Sequence, residues 1–290
     1  MKAVLLLLLP FPSVLFLTSP IRLFKDLLYP DFDPQQWPII SSTGFLNKFL
    51  AGHCFEIFLC TFIVMNVFKC WLVCNKLPLL PLTAAIVTNA ACDNDGEIPD
   101  DNNSGENLRS NKSDLNLFKQ IEHSDPPTSS SRFISLQLAK LAGIYIPLVL
   151  LIVWFLGPSV YDRIYHSTGG HCVNHPEIKY YRSCVSKGYR YTGGFKCSGH
   201  GLITSTFATC LAKETLSLNN WISYVNNINP LTFRVYRSGH LLVVFTTSLY
   251  LCWLTMYTVT CLFYHTFPER VVGTACGCLI FFFVYIKCRL

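Results

Sequence analysis

Residues 241–264, LLVVFTTSLYLCWLTMYTVTCLFY, form an apolar run without a single charged side chain. A helix needs about 20 mostly apolar residues to cross the hydrocarbon core of a bilayer. Residues 49–68 and 134–156 are also largely apolar over this length. These three segments predict a helical membrane protein rather than a water-soluble domain.

The overall composition agrees with membrane spans. Hydrophobic residues make up 51% of the chain, charged residues make up 14%, and the mean hydropathy is +0.37. Soluble domains usually carry roughly a quarter charged residues. The net charge is +6, but no run of five or more Lys or Arg residues is present, so nucleic-acid binding is not predicted.

Three shorter segments bring the count to about six spans. Residues 3–19 and 271–287 are apolar, whereas residues 198–218 contain Lys213 and Glu214. A helix that begins near residue 198 would carry Lys213 about 22 Å along its axis, from where the side chain can reach the far interface. We therefore predict an all-α membrane protein with about six transmembrane helices and one integral membrane domain.

The first apolar segment has a second interpretation. Lys2 followed by an apolar core is also typical of a secretory signal peptide. However, the sequence after Leu17 contains no small-x-small cleavage site, and Pro20 is unfavourable there. We therefore favour a span at this position.

Residues 93–132, between the second and third spans, are polar and acidic and include DNDGEIPDDNNSGENLRSNKSD. Such a composition buries too little apolar surface to offset the entropy of ordering, which predicts a disordered loop. If the N-terminus is cytosolic, this loop and the C-terminus are cytosolic as well. The N-glycosylation sequons at Asn102 and Asn111 are then expected to carry no glycan.

Two histidines follow odd-numbered spans and so face the same compartment, whatever the absolute orientation. His200 ends the loop after the third span, and His265 begins the loop after the fifth. With a cytosolic N-terminus, this compartment is the lumen. The loop before His200 is basic between residues 163 and 196, which suits the binding of phosphates.

Such a pair can catalyse phosphoryl transfer, because one neutral imidazole attacks phosphorus and a protonated one donates to the leaving oxygen. Glu269 follows His265 by four residues, so its carboxylate can orient that ring on one helical turn. Ser198 and Gly199 precede His200 at a predicted helix start, where free backbone N–H groups favour an anion. We therefore predict His265 as the nucleophile, His200 as the general acid and Glu269 as the orienting carboxylate.

Structural zinc is an alternative role for the loop before His200. Two pairs in this loop have zinc-like spacing and a further thiol is available: Cys172 with His175, Cys197 with His200, and Cys184. In an oxidising lumen, a disulfide between Cys172 and Cys184 is favoured instead. Zinc would also leave His265 and Glu269 without a role. We therefore predict a disulfide, no metal and no cofactor.

Two patterns lie inside predicted spans. Gly273-x-x-x-Gly277 permits close contact between helices. His53 and Glu56 lie three residues apart within residues 49–68. An ionisable pair at membrane depth is either a buried structural contact or part of a functional site, and both interpretations stay open.

Three blocks resemble the fat storage-inducing transmembrane family, particularly its fungal branch. They are TGGHC at 168–172, GGFKCSGH at 193–200 and YHTFPERVVG at 264–273, with Cys184 between the first two. The resemblance extends over roughly residues 134–286 and includes the spacing of the spans.

This resemblance implies a six-span endoplasmic-reticulum protein whose helical bundle is similar to that of the lipid phosphate phosphatases. In that superfamily, Ser-Gly-His supplies a general acid and a later His-x-x-x-Asp supplies the nucleophile and its carboxylate. Carried over, His200 is the acid, His265 is the nucleophile and Glu269 replaces the aspartate. The implied reaction hydrolyses fatty acyl-CoA to acyl 4′-phosphopantetheine and adenosine 3′,5′-bisphosphate. The implied role is lipid-droplet formation, phospholipid metabolism and endoplasmic-reticulum homeostasis.

The sequence departs from this pattern beside His200. The superfamily's Lys/Arg-rich first motif is not evident, so the phosphate-binding cations are not assigned by it. Lys196 stands where the family often carries Asp, and a cation there can hold a diphosphate but lowers the protonated fraction of His200. The expected phosphate contacts are Ser198, Gly199, Lys196 and Arg270, with Lys187 and Arg190 as further candidates.

Two other classes of function are alternatives to catalysis. A non-enzymatic protein that binds neutral lipid or diacylglycerol and organises droplet emergence would keep lipid binding and cellular rescue without the two histidines. A transporter is disfavoured by the scarcity of ionisable residues within the spans. The expected partners are fatty acyl-CoA and lipids of the endoplasmic-reticulum membrane.

Overall fold

The computed structural model describes residues 7–28, 49, 52–76, 130–153, 158–228 and 230–287. Most of this is helical, and a two-stranded antiparallel sheet is the only sheet within these ranges. The elements in chain order are α1 (Pro10–Leu28), α2 (Cys54–Lys76), α3 (Ser130–Ile152), α4 (Val160–Ser167), β1 (His171–Cys172), α5 (Tyr181–Ser186), β2 (Tyr191–Thr192), α6 (Gly199–Ile228), α7 (Phe233–Phe263) and α8 (Phe267–Phe282). A π-helical turn, Phe283–Lys287, continues α8.

Four helices are long and apolar enough to cross a membrane, counted over the described residues. They comprise Cys54–Leu72, Arg132–Ile152, Phe233–Phe263 and Phe267–Ile286. The predicted all-α membrane fold is therefore confirmed. The remaining two predicted spans correspond to α1 and α6, and the total of six stays a prediction.

The first helix lies further along the chain than the predicted span 3–19, which ended at two hydroxyl residues. Thr18 and Ser19 do not interrupt the helix, because each hydroxyl donates to a backbone carbonyl one turn earlier. Phe11 is fully buried and its ring meets that of Tyr257 in α7 edge to face, with the centroids 5.1 Å apart. α1 therefore packs into the bundle, and its assignment as a membrane span stays a prediction.

The second helix begins later than the predicted span 49–68. α2 starts at Cys54, after Gly52, so His53 precedes the helix and Glu56 lies in its first turn. Both side chains are exposed. The pair therefore lies at the start of α2, and the exposure of both side chains contradicts the interpretation as a buried contact. A role in a functional site stays a prediction.

The predicted disordered loop 93–132 lies, as far as residue 129, outside the described residues, and so do Asn102 and Asn111. Its last three residues, 130–132, are helical and begin α3. Serine-rich sequence is common at the start of a helix, so the polar composition extended the predicted loop too far.

The central helix is α6, which packs against α2, α3, α7 and α8. Its buried hydroxyl groups donate to carbonyls one turn earlier and are thereby satisfied within the helix: Thr204, Ser205, Thr206, Thr209 and Thr215. Glu214 is buried too, with Lys69 of α2 at 2.5 Å and Lys140 of α3 at 3.2 Å. Cations from two other helices thus neutralise the charge that interrupted this predicted span.

The contact between α8 and α6 depends on two glycines. A Cβ on Gly277 would lie 2.0 Å from the Ser205 hydroxyl oxygen and 2.7 Å from the Leu202 carbonyl oxygen. A Cβ on Gly273 would lie 2.4 Å from the Ser198 carbonyl oxygen. The predicted close helix contact is confirmed, and it holds the start of α6 against the start of α8.

Candidate active site

The segment between α3 and α6 folds into a small cap, defined as residues 158–198. A disulfide joins Cys172 of β1 to Cys184 of α5, which is the predicted pair. Beside it, the rings of Tyr165, Tyr181 and Tyr191 pack together with centroids 4.8 to 5.8 Å apart. The cap is therefore held by a covalent link and a small aromatic core.

Paired glycines let the two ends of the cap approach each other. Gly194 has a φ of +65°, and a Cβ there would lie 2.4 Å from the Tyr165 carbonyl oxygen and 2.6 Å from the Gly170 nitrogen. Only glycine fits this close approach in a left-handed conformation. The TGG and GGF blocks therefore direct the following residues, Lys196 to His200, toward the bundle.

His265 lies in the short connection between α7 and α8 and has a φ of 59°. A left-handed backbone is uncommon for a residue with a side chain and is often found at functional sites. Arg22 of α1 donates to the carbonyl of Tyr264 at 2.9 Å and also to that of His265. A residue distant in sequence thus holds the loop that presents this histidine.

The carboxylate of Glu269 joins the two histidine segments. Its Oε2 accepts a hydrogen bond from Thr266 N at 2.8 Å and lies 3.5 Å from His265 Nδ1. Its Oε1 accepts from Lys196 N at 3.0 Å, and its backbone carbonyl accepts from Ser198 N at 3.2 Å. The predicted partner of His265 is therefore in place, and Nδ1 faces it, which leaves Nε2 for chemistry.

Both histidines line one cavity of about 430 Å³ at the end of the bundle where α6 and α8 begin. Side chains from α4, α5, α6, α7 and the adjoining connections surround it: Tyr161, Asp162, Tyr165, Tyr181, Arg182, Lys196, His200, Met256, Thr260, Tyr264 and His265. The structure therefore brings together the two residues that the parity of the spans placed on one side.

The protonation of His265 follows from its surroundings. Burial is the largest cause of the lowering of its pKa to about 4. The Glu269 carboxylate opposes this shift, and the positive charge of the neighbouring Lys196 adds to it. His265 is therefore neutral at pH 7, which is the form a nucleophile requires.

Two of the expected phosphate contacts, Lys196 and Gly199, line the cavity. The ammonium of Lys196 lies 4.4 Å from the centre of the Tyr181 ring and donates to its hydroxyl at 3.3 Å. Ser198 does not line the cavity, because its buried hydroxyl accepts from Gly201 N at 3.0 Å and so caps α6.

The prediction that Arg270 contacts phosphate is wrong. Its guanidinium is buried in the protein interior, where it donates to the carbonyls of Thr266 and Cys261, and it does not line the cavity. Adjacency to the catalytic block therefore did not indicate where the side chain points. Lys187 and Arg190 are exposed residues of the cap and do not line the cavity either.

The zinc alternative loses its ligands in this arrangement. Cys172 and Cys184 are consumed by the disulfide, and burial raises the pKa of the Cys197 thiol to about 11. The imidazole of His175 stacks on Tyr189 and contacts Glu177 at 2.9 Å. No group of three metal-ligating side chains occurs in the part of the chain that the structure describes.

Three cavity residues were missed by sequence reasoning. Asp162 is 5% exposed, and its backbone N–H donates to Ser159 Oγ at 3.0 Å at the N-terminus of α4. Its neighbour Tyr161 and Arg182 of α5 line the cavity with it. Ser159-x-x-Asp162 is a helix-start pattern visible in the sequence, but nothing local indicates that it faces the histidines.

The fold and the cavity define an all-α membrane protein with a histidine-lined site at one end of its helical bundle. The family model described as fat storage-inducing transmembrane protein matches residues 115–285, more than half of the chain. The protein therefore belongs to this family, whose role is in fat storage and lipid droplets. No curated protein and no solved structure matches the chain. Similarity to the lipid phosphate phosphatases stays a prediction.

Proposed function

We propose that this protein is a fatty acyl-CoA diphosphatase of the endoplasmic-reticulum membrane. It cleaves the diphosphate to give acyl 4′-phosphopantetheine and adenosine 3′,5′-bisphosphate. The observation that supports this proposal is the position of Glu269, which contacts His265 directly and holds the backbone of Lys196 and Ser198, just before His200.

In the first step, the Nε2 atom of neutral His265 attacks one phosphorus of the diphosphate. A nitrogen–phosphorus bond forms while the bond from that phosphorus to the bridging oxygen breaks. Binding of the anionic diphosphate favours the protonated form of His200, which donates its proton to the departing phosphate oxygen. Positive charge develops on the His265 ring, and the Glu269 carboxylate at 3.5 Å stabilises it.

In the second step, water attacks the phosphohistidine. His200, now neutral, accepts a proton from this water, and the nitrogen–phosphorus bond breaks. His265 returns to its neutral form and the second phosphate product leaves. Lys196, which lines the cavity, supplies positive charge to the diphosphate in both steps.

We place this chemistry in the lumen. The termini and the segment 93–132 are then cytosolic, whereas His200, His265 and the disulfide-bonded cap are luminal. An oxidising lumen accounts for the disulfide between Cys172 and Cys184.

The test uses full-length purified protein and oleoyl-CoA, with release of adenosine 3′,5′-bisphosphate followed by chromatography. We expect His265→Ala and His200→Ala to lower turnover by on the order of 10³-fold or more. Ser186→Ala, on the exposed surface of α5, is the matched control and should keep wild-type turnover. Hydrolysis at the wild-type rate by His265→Ala would refute the proposal.

A second candidate function is the binding of neutral lipid or diacylglycerol without catalysis. A groove of about 480 Å³ between α2 and α3 has apolar walls, among them Phe62, Phe133 and Leu141. Two side-chain oxygens at this groove, Asn66 Oδ1 and Gln137 Oε1, are buried without a hydrogen-bond partner among the described residues. They suit the hydroxyl group of a partially acylated glycerol.

The two functions are separated by one pair of variants. If binding is the function, diacylglycerol binding and rescue of droplet formation survive in the double variant His200→Ala/His265→Ala. Those activities then fall in Asn66→Leu, because the acceptor oxygen is lost. Loss of droplet rescue in the double histidine variant, with rescue kept in Asn66→Leu, supports catalysis.

A further inference from the structure

Two residues that line the cavity each carry a buried polar atom without a hydrogen-bond partner. The two atoms are the Tyr161 hydroxyl and Asp162 Oδ2, and this holds for the part of the chain that the structure describes. The nearest cation, Arg182, has its Nε at 3.8 Å from Asp162 Oδ2, beyond hydrogen-bond distance. Another nitrogen of Arg182 donates to the Ile152 carbonyl at 2.6 Å, so this guanidinium is already engaged.

An unsatisfied buried polar group is uncommon and costly. Most buried polar atoms in folded proteins have a partner, and an exception needs an explanation. Here the two exceptions are neighbours in sequence, both line the cavity that holds His200 and His265, and Asp162 is 5% exposed. Together they indicate an absent partner that enters the cavity.

We propose that Tyr161 and Asp162 form a subsite for an uncharged hydrogen-bonding group of the substrate, next to the diphosphate site. This inference rests on the proposed function and adds a specificity determinant to it. The carboxylate accepts from an N–H or O–H group, and the phenol hydroxyl donates to, or accepts from, the same part of the substrate.

The chemistry of the two groups excludes a phosphate at this position. A carboxylate repels the negative phosphates, so the diphosphate lies toward Lys196 and the histidines. Acyl-CoA carries suitable neutral groups on both sides of its diphosphate. One source is the amino group of adenine, and the other is the amide and hydroxyl groups of the pantetheine arm.

The two products separate these sources, because each carries one of them. We would measure the affinity of adenosine 3′,5′-bisphosphate and of acyl 4′-phosphopantetheine for wild-type protein and for the variants Asp162→Asn and Tyr161→Phe. Both substitutions keep the shape of the side chain. Ser167→Ala, on the exposed part of the same helix, is the control.

We expect each variant to bind one product more weakly and the other unchanged. For Asp162→Asn the weakening should be about 10- to 100-fold, as for the loss of a hydrogen bond to a charged group. In turnover of oleoyl-CoA, the same variant should raise KM while kcat stays within about twofold, since the lost contact is made equally in ground and transition states.

The product that weakens identifies the source of the bound group. Equal weakening of both products, or wild-type affinity for both in the two variants, would overturn the subsite. Failure of wild-type protein to bind either product would overturn it as well. Product binding does not need turnover, so absence of hydrolysis by wild-type protein would refute only the proposed reaction.

Discussion

Replacement of Glu269 by glutamine tests the mechanism more sharply than removal of either histidine. The carboxylate accepts from the backbone N–H groups of Thr266 and Lys196 and lies 3.5 Å from His265 Nδ1. Glutamine has one acceptor oxygen, so its NH₂ group must face one of the two backbone donors. The variant Glu269→Gln therefore loses a charge-assisted hydrogen bond without a change in side-chain size.

The expected effects on stability and on rate have separate origins. Loss of one hydrogen bond to a charged group costs about 1.5–3 kcal/mol of the free energy of unfolding. The same range applies to the lost stabilisation of positive charge on His265 in the transition state. Because about 1.4 kcal/mol corresponds to a tenfold change in rate, kcat should fall roughly 10- to 150-fold.

The pH dependence distinguishes this effect from a change in protonation. Burial lowers the pKa of His265 to about 4, and the Glu269 carboxylate opposes that lowering, so its loss moves the pKa lower still. At pH 7 the ring is neutral with or without the carboxylate. The acid limb of kcat/KM therefore lies near pH 4 in the wild type and lower in Glu269→Gln.

The assay is hydrolysis of oleoyl-CoA between pH 5 and 8, together with thermal unfolding of the same samples. A constant loss of kcat across this range is the expected result. Wild-type kcat at pH 7 would refute the role of the carboxylate. Activity that returns at either end of the pH range would show that protonation, not transition-state charge, was affected.

Two further predictions concern stability and are measured by thermal unfolding of detergent-solubilised protein. Glu214→Gln should destabilise the protein by about 3–5 kcal/mol, and by more than Lys69→Met does. The first variant leaves the buried Lys69 and the partly buried Lys140 without an anion, whereas the second leaves Glu214 paired with Lys140. The reverse order would contradict this account. Gly277→Ala should lower the free energy of unfolding by about 1–3 kcal/mol, because the added Cβ meets the α6 backbone. Gly143→Ala should lower it by less, because the Cβ there meets only a valine methyl, at 3.0 Å. Equal melting temperatures of the two variants would refute the close contact.

The parts of the fold that the sequence predicted are those governed by local composition. Apolar runs located the long helices, and the four-residue spacing of His265 and Glu269 predicted their contact. Helix ends were less well predicted, because the hydroxyl groups of polar residues such as Thr18 donate hydrogen bonds to backbone carbonyls inside a helix. A count of apolar residues treats them as breaks.

The parts that the sequence did not predict depend on contacts between distant segments. Asp162 and Arg182 reach the cavity only because the disulfide-bonded cap is folded beside α6. Arg22 supports the His265 loop from the first helix. Arg270 was assigned to phosphate from its position in a block, yet its side chain turns inward.

The block YHTFPERVVG shows how one short segment builds this site. His265 supplies the imidazole, and Glu269 caps α8 while it holds both histidine segments. Arg270 ties the first turn of α8 back to the end of α7 through the Cys261 carbonyl. Gly273, in the second turn of α8, lets this helix approach the Ser198 carbonyl, so that α6 begins beside it. Chemistry, orientation and helix packing are thus encoded within one ten-residue block, and a substitution anywhere in the block is expected to affect the histidine pair.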